Sequence, residues 1–210
     1  MTERFKGEWR RGVYRDVIRR RDMLIKRFLI PATARRVKPV WRREHRAFER
    51  LGSPQTFGVR ERLVPGGGGT RLVVFRRAFV AGEVQDQLDP AALARCLAKM
   101  HALGVVGLDP HPGNFLLCAD TGELCMIDLG RAACARPGSW RLLVHVGHEL
   151  YRVRREGWKK WKKRADRQAA EERYRTFIEA YRAERPEGLW LVRLSAAGYR
   201  TMRRLRLRGG

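Results

Sequence analysis

GLDPHPGNFLLCADTGELCMIDLGRA, residues 107–132, is the stretch that decides the fold. Asp109 and Asn114 stand five apart and bracket a turn-forming Pro-His-Pro-Gly. FLLC (115–118) and ELCMI (123–127) then read as two short strands joined by a turn at Ala119-Asp120-Thr121-Gly122. Asp128 closes the second strand and is followed by Leu-Gly. A carboxylate at a strand end with glycine close behind it projects without steric cost. An acid, a carboxamide and a second acid are thus drawn from one loop and the hairpin after it. Phosphoryl transfer needs such a set: one carboxylate to orient and deprotonate a hydroxyl, and hard oxygen donors for a divalent ion.

Working outward, Asp89-Pro90 predicts a helix start, with Asp89 as N-cap and Pro90 in the first turn, and Gly104 ends that helix. Upstream, GVYRDVI (12–18) and DMLIKRFL (22–29) read as a hairpin. A polar, Arg-rich stretch from about 33 to 51 carries a helical stripe of Trp41, Ala47, Phe48 and Leu51, stopped by Gly52-Ser53-Pro54. Residues 57–64 and 70–80 read as partner strands around the four glycines 66–69. From about 138 the pattern is helical, broken near Pro186 and Gly188. The class expected is α+β, with a β-rich region over 1–82, a connector near 79–88 and a mainly helical region over 83–210.

The chain has 210 residues, 44% hydrophobic, enough for a real core. The net charge of +24 is unevenly placed. Residues 1–50 hold 17 Lys/Arg against 6 Asp/Glu, residues 51–150 hold 10 against 9, and residues 151–210 hold 19 against 7. Such a field attracts polyanions: nucleic acid, an anionic membrane or a phosphorylated substrate. No helix-turn-helix, zinc knuckle or RNP pattern accompanies it, so nucleic acid is not the favoured partner. The run RVRREGWKKWKKRADR (152–167), with Trp158 and Trp161, suits either an interfacial helix on anionic lipid or a solvated helix whose tryptophans pack inward. Cys96, Cys118, Cys125 and Cys134 form no C-x-x-C pair and read as buried, reduced thiols of a cytosolic protein. No apolar h-region opens the chain, so no secretory signal is expected, and no run approaches 18 apolar residues. His145 and His148 stand three apart without an evident third metal ligand, and helix packing is the expected role. His111 is read equally as a phosphate or substrate contact and as part of the turn. The terminal Leu-Arg-Leu-Arg-Gly-Gly receives no function.

The D-x-x-x-x-N … I-D-L-G pattern resembles the catalytic loop and metal motif of protein-kinase-like enzymes. The resemblance implies a two-lobed fold with a small β-rich N-lobe and a mainly helical C-lobe. It implies a catalytic base at Asp109 and Mg²⁺ ligands at Asn114 and Asp128. It also implies a strand lysine for the ATP phosphates, paired with a helix glutamate. Lys26 looks like that lysine, and Glu44 in VWRREHRAFERLGSP (40–54) looks like its partner, with Glu49 the competing choice. A nucleotide-covering G-x-G-x-x-G is absent; Gly7 and Gly12 in KGEWRRGVYRDVI (6–18) are the only glycines before Lys26. The position two before the base, usually His in that family, is Gly107.

Compact size, L-I-K-R-F, W-x-x-E, D-x-x-x-x-N-F-L and I-D-x-x-R-A resemble the bacterial lipopolysaccharide core kinases, the heptose and Kdo kinase group, over about residues 22–155. That resemblance implies ATP-dependent phosphorylation of a sugar hydroxyl on an anionic glycolipid, by a cytoplasmic protein peripheral to the inner membrane. DPHPGN (109–114) is also similar to the UbiB-type atypical kinases, which are much longer and carry an Ala-rich loop not found here. Two other classes stay open: a pseudokinase scaffold, on Gly107 and the missing glycine loop, and a basic nucleic-acid-binding protein.

Overall fold

The computed structural model describes residues 2–10, 12–34, 37–159, 164–185, 194 and 197, with side chains at these positions except 10, 155–159 and 164–167. The chain divides into two compact units, residues 1–80 and 81–210. Its class is α+β.

In the first unit, β1 (Thr2–Arg10), β2 (Val13–Arg20), β3 (Met23–Ile30), β4 (Thr56–Leu63) and β5 (Arg71–Ala78) form one antiparallel sheet in the order β1-β2-β3-β5-β4. Helix α1 (Val40–Leu51) lies in sequence between β3 and β4. Alternation puts Leu24, Phe28 and Ile30 of β3 and Val73 and Phe75 of β5 on the buried face. Trp41, Ala47 and Phe48 of α1 are buried with them; Phe28 meets the Trp41 ring at 5.2 Å, and the Arg77 guanidinium lies 5.1 Å from the Phe48 ring. Helix α1 begins at Val40 rather than near 33, because Pro39 stands at its N-cap. It stops at Gly52, whose left-handed φ of 73° lets its N–H reach the Phe48 carbonyl.

Strand β1 is not foreshadowed by the sequence pattern. It lies at the sheet edge, and its large apolar residues, Phe5 and Trp9, are exposed. Pairing with β2 holds it, together with the buried Asp16 carboxylate, which accepts from Arg4 Nε at 3.1 Å and Arg27 Nε at 2.8 Å.

The second unit opens with β6 (Gly82–Val84) and α2 (Pro90–Ala102). Asp89 caps α2 by accepting from the Ala92 N–H at 2.7 Å, and Pro90 occupies the first turn. Strand β7 (Val105–Val106) precedes the loop, and β8 (Phe115–Cys118) and β9 (Leu124–Met126) form the hairpin after it. Strand β6 adds to β8, and β10 (Ala133–Cys134) pairs with β7. Helices α3 (Trp140–Lys159) and α4 (Arg164–Glu184) complete the unit. Leu97, Phe115, Leu129, Leu142 and Phe177 are buried in its core.

The thiol expectation needs correction for one pair. Cys118 and Cys125 are disulfide-bonded across the β8–β9 hairpin, while Cys96 and Cys134 are free. Register explains the pair: Leu116 faces Cys125, so Cys118, two residues along the same strand face, is its diagonal neighbour. Closing a loop of this separation restricts the unfolded chain by about 2–3 kcal/mol in the entropic account. Adding reductant is expected to lower the unfolding free energy read from denaturant titration of the oxidised chain by that amount, and a Cys118→Ser, Cys125→Ser double variant should then show no response to reductant.

Among the described residues no helix is long and apolar enough to cross a membrane. Residues 160–163 of the basic run, with Trp161, lie outside the described residues, as do the Trp158 side chain, Pro186, Gly188 and the terminal LRLRGG.

Candidate active site

Asp109, Asn114 and Asp128 sit on the loop and hairpin of the second unit. A single 3-10 turn, Pro112–Asn114, carries the chain from the loop into β8. The Asn114 Nδ2 donates to the Asp109 backbone carbonyl at 2.9 Å. That bond fixes the carboxamide and leaves its oxygen as an acceptor. The Ile127 N–H donates to the Asn114 carbonyl at 2.8 Å, which lays the segment entering Asp128 beside Asn114. Asp128 is exposed, and its Oδ1 accepts from the Gly130 N–H at 3.0 Å. The amide oxygen and the carboxylate are hard donors. Mg²⁺ is typically held by one or two such groups with phosphate oxygens and waters completing the octahedron, so the donor set fits it. No group of three or more His, Cys, Asp or Glu that could hold a metal stands among the described residues.

The Asp109 carboxylate is held on one side only. Its Oδ1 accepts from Arg152 Nη2 at 2.9 Å and from Arg131 Nη1 at 3.4 Å. Among the described residues no donor reaches Oδ2. Two guanidiniums therefore hold one oxygen in place while the other keeps its lone pairs.

The residue before Asp109 explains how the loop keeps its shape. Leu108 has a φ of 62°, a left-handed conformation that disfavours a leucine by about 1–2 kcal/mol. Helix α3 grips that peptide from both ends. Glu149 Oε1 accepts from the Leu108 N–H at 2.5 Å, and Arg152 Nη1 donates to the Leu108 carbonyl. Glu149 and Arg152 are three apart, so they share one helix face. The other carboxylate oxygen, Oε2, lies 2.7 Å from His101 Nε2, and His101 Nδ1 lies 2.7 Å from the Tyr181 hydroxyl. With the imidazole proton on Nε2, it donates to Glu149 while the Tyr181 hydroxyl donates to Nδ1. All three side chains are at most 3% exposed. This buried chain, Tyr181–His101–Glu149–Leu108, joins α4, α2 and α3 to the loop.

Gly107 now has a physical reason. A Cβ there would overlap the Met126 sulfur and stand 3.2 Å from Glu149 Oε1. The Met126 side chain fills the space a side chain at 107 would need, and the Glu149 carboxylate beside it supports the loop backbone. Sequence reading missed Glu149, Arg152 and Tyr181. The only local signal was the i, i+3 spacing of Glu149 and Arg152; their partners lie 41 and 44 residues away.

In the first unit, Lys26 of β3 and Glu44 of α1 meet, Nζ to Oε1 at 2.6 Å, with side-chain exposures of 13% and 2%. Glu49, the competing partner, is exposed and pairs with His45 at 3.2 Å. Lys26→Met is expected to destabilise the first unit by about 2 kcal/mol, below the range for a fully enclosed pair because the ammonium keeps some water contact. Adding Glu44→Gln should recover part of that loss in urea titrations. Strictly additive effects of the two substitutions would refute a coupled pair. Gly7 lies within β1 opposite Asp16, and Gly12 takes φ 73° in the turn between β1 and β2. They occupy one hairpin, but at its middle and at its tip.

The remaining candidates resolve as follows. His111 Nδ1 accepts from the Gly113 N–H at 3.1 Å, stiffening the turn, and its ring is exposed. His145 is half-buried, and burial, then Arg141, hold its pKa below the ordinary histidine value. Burial, and then the Glu149 carboxylate, push the Cys96 thiol up to about 12, which makes it inert as a nucleophile. No family model matches this chain, and no curated protein matches it in sequence.

Proposed function

We propose that the chain is an ATP-dependent phosphotransferase of the protein-kinase-like kind, acting on a sugar hydroxyl of a lipid-linked glycan such as the lipopolysaccharide inner core. One observation carries the reading: the Asp109 carboxylate is anchored through a single oxygen by Arg152 and Arg131, in a loop clamped by Glu149, with Asn114 bonded to the same residue. An isolated surface aspartate would not recruit four side chains to fix its position. The five-stranded sheet with one helix between its third and fourth strands, and the Lys26–Glu44 pair, support the two-lobed reading.

In this mechanism Asp109 Oδ2 accepts a hydrogen bond from the acceptor hydroxyl and orients its oxygen for attack. The proton passes to Oδ2 as the acceptor hydroxyl oxygen bonds the γ-phosphorus, the bond from that phosphorus to the β–γ bridging oxygen breaks, and ADP leaves. Arg152 and Arg131 stay on Oδ1 and keep the carboxylate from turning away. Bound Mg²⁺ would be held by Asn114 and Asp128 and would supply charge neutralisation on the phosphates. Lys26 is assigned to the nucleotide phosphates by resemblance alone.

Two measurements test the proposal. Mg-ATP at about 100 times its dissociation constant should stabilise the folded chain by about 2.7 kcal/mol. Labelled ATP should then transfer its γ-phosphoryl group to a purified core glycolipid. Absence of any Mg-ATP stabilisation would leave a scaffold role. Stabilisation with transfer only to a protein or a small molecule would keep the kinase reading and replace the acceptor. Salt-steep binding to DNA or RNA without Mg-ATP binding would favour a polyanion binder instead.

A further inference from the structure

The five-stranded sheet of the first unit has two faces, and helix α1 occupies one of them. Trp41, Glu44 and Phe48 of the helix meet Phe28, Lys26 and Arg77 of the strands there. The strand registers give the opposite face. One row across it is Trp9, Tyr14, Leu29, Leu72 and Arg62. The next is Gly7, Asp16, Arg27, Val74 and Arg60. A third is Arg4, Ile18, Ile25 and Arg76, and Arg20 lies beyond Ile18 on the same strand. At ordinary strand spacing and rise this platform is roughly 20 Å on each side.

Its middle is aliphatic. Ile18, Ile25, Leu29, Leu72 and Val74 are half-buried and still meet solvent. Its cations come from every strand. Arg20, Arg60 and Arg62 are exposed, and the Arg4 and Arg27 side chains are 57% and 45% exposed. The only acid in these rows is Asp16, buried beneath the Arg4 and Arg27 guanidiniums that bond it. Trp9 stands at the edge, 66% exposed, with its ring 5.5 Å from that of Tyr14.

We infer that this face docks on an anionic lipid surface, with the aliphatic middle and Trp9 at the headgroup boundary and the arginines on the lipid phosphates. A second copy of the chain would set two fields of arginine against each other, so the partner is an anion. The cations are spread over two dimensions, as are the heads of a bilayer, whereas a single nucleic-acid strand carries its phosphates in a line. Such a strand also stacks successive bases on successive rings, and here the rings stand at one corner over an aliphatic floor. An apolar surface ringed by Arg, with Trp and Tyr at its margin, is the chemistry of an interfacial contact. This surface is separate from the basic run 152–167, and it stands on the sheet alone, whatever reaction the second unit carries out.

The experiment measures binding of the full chain to vesicles of phosphatidylglycerol mixed equally with phosphatidylcholine, by co-sedimentation at physiological salt. Vesicles of phosphatidylcholine alone and a single-stranded oligothymidylate are the comparisons. Each arginine at such a surface strengthens binding about fivefold, so Arg20→Gln, Arg60→Gln, Arg62→Gln together should weaken binding to the mixed vesicles about 100-fold. Arg43→Gln, Arg46→Gln, Arg50→Gln removes the same charge from exposed positions of α1 and should stay within about threefold of the parent. Trp9→Gln should weaken binding at least about threefold. If circular dichroism shows the first triple variant unfolded, the Arg60→Gln, Arg62→Gln pair decides, with an expected loss of about 25-fold. Failure to bind the mixed vesicles, equal binding to phosphatidylcholine alone, or equal losses in the two triple variants overturns the surface. Trp9→Gln binding as tightly as the parent overturns the apolar seating. Oligothymidylate bound more tightly than the vesicles, and released by the sheet variant but not by the α1 variant, replaces the lipid with nucleic acid.

Discussion

Asp109→Asn is expected to lower the rate of phosphoryl transfer by about 10²–10⁴-fold while Mg-ATP binding is retained. The carboxamide is nearly isosteric, so the loop keeps its shape. It offers no basic oxygen at the place of Oδ2, so the acceptor hydroxyl loses its proton sink in the transition state. Arg152 and Arg131 still find a carbonyl oxygen where Oδ1 stood. Single-turnover transfer and a separate Mg-ATP titration measure the two effects apart. A variant that transfers at the parent rate would remove Asp109 as the base, whatever the fold.

Glu149→Ala is expected to destabilise the second unit by about 2–6 kcal/mol, from about 1–3 kcal/mol for each of two buried donors left unsatisfied. The substitution strands two donors at once: the Leu108 N–H, at a residue already in an unfavourable conformation, and His101 Nε2. Neither can turn to water, because His101 is 1% exposed and the carboxylate site is closed. Denaturant titration reads the loss. Glu149→Gln separates support from charge, since its amide oxygen can still take one donor; it should fall between the parent and the alanine variant. Equal stability of the alanine variant and the parent would dismiss the clamp as a coincidence of packing.

Much of the fold was legible because its signals are local. Short β-rich runs marked 12–18 and 22–29, observed as β2 and β3, and the stripe at Trp41, Ala47 and Phe48 marked α1. Asp89-Pro90 fixed the start of α2, and FLLC coincides with β8. What escaped depends on distant partners. Strand β1 has no buried stripe to announce it, because an edge strand needs only one neighbour. Strands β6, β7 and β10 are two or three residues long and exist through pairing alone. The Cys118–Cys125 bond follows from hairpin register, which spacing does not give.

The candidate site divides the same way. Asp109, Asn114 and Asp128 lie within 20 residues and were picked out by spacing. The groups that hold Asp109 in place were not, because Glu149, Arg152 and Tyr181 reach back to their partners from α3 and α4. Gly107 reads in sequence as a missing support, but Met126 occupies its side-chain space and the Glu149 carboxylate holds the next peptide.

The Leu108 clamp also sets an order of events during folding. Its two bonds close loops of 41 and 44 residues, and the Tyr181–His101 contact closes one of 80. The hairpin of β8 and β9 can assemble early, from neighbours in sequence, but the left-handed turn before Asp109 has nothing to hold it until the third helix arrives. On warming, loosening of that helix would release the turn while the hairpin is still intact, so Asp109 would lose its fixed position before the secondary structure melts.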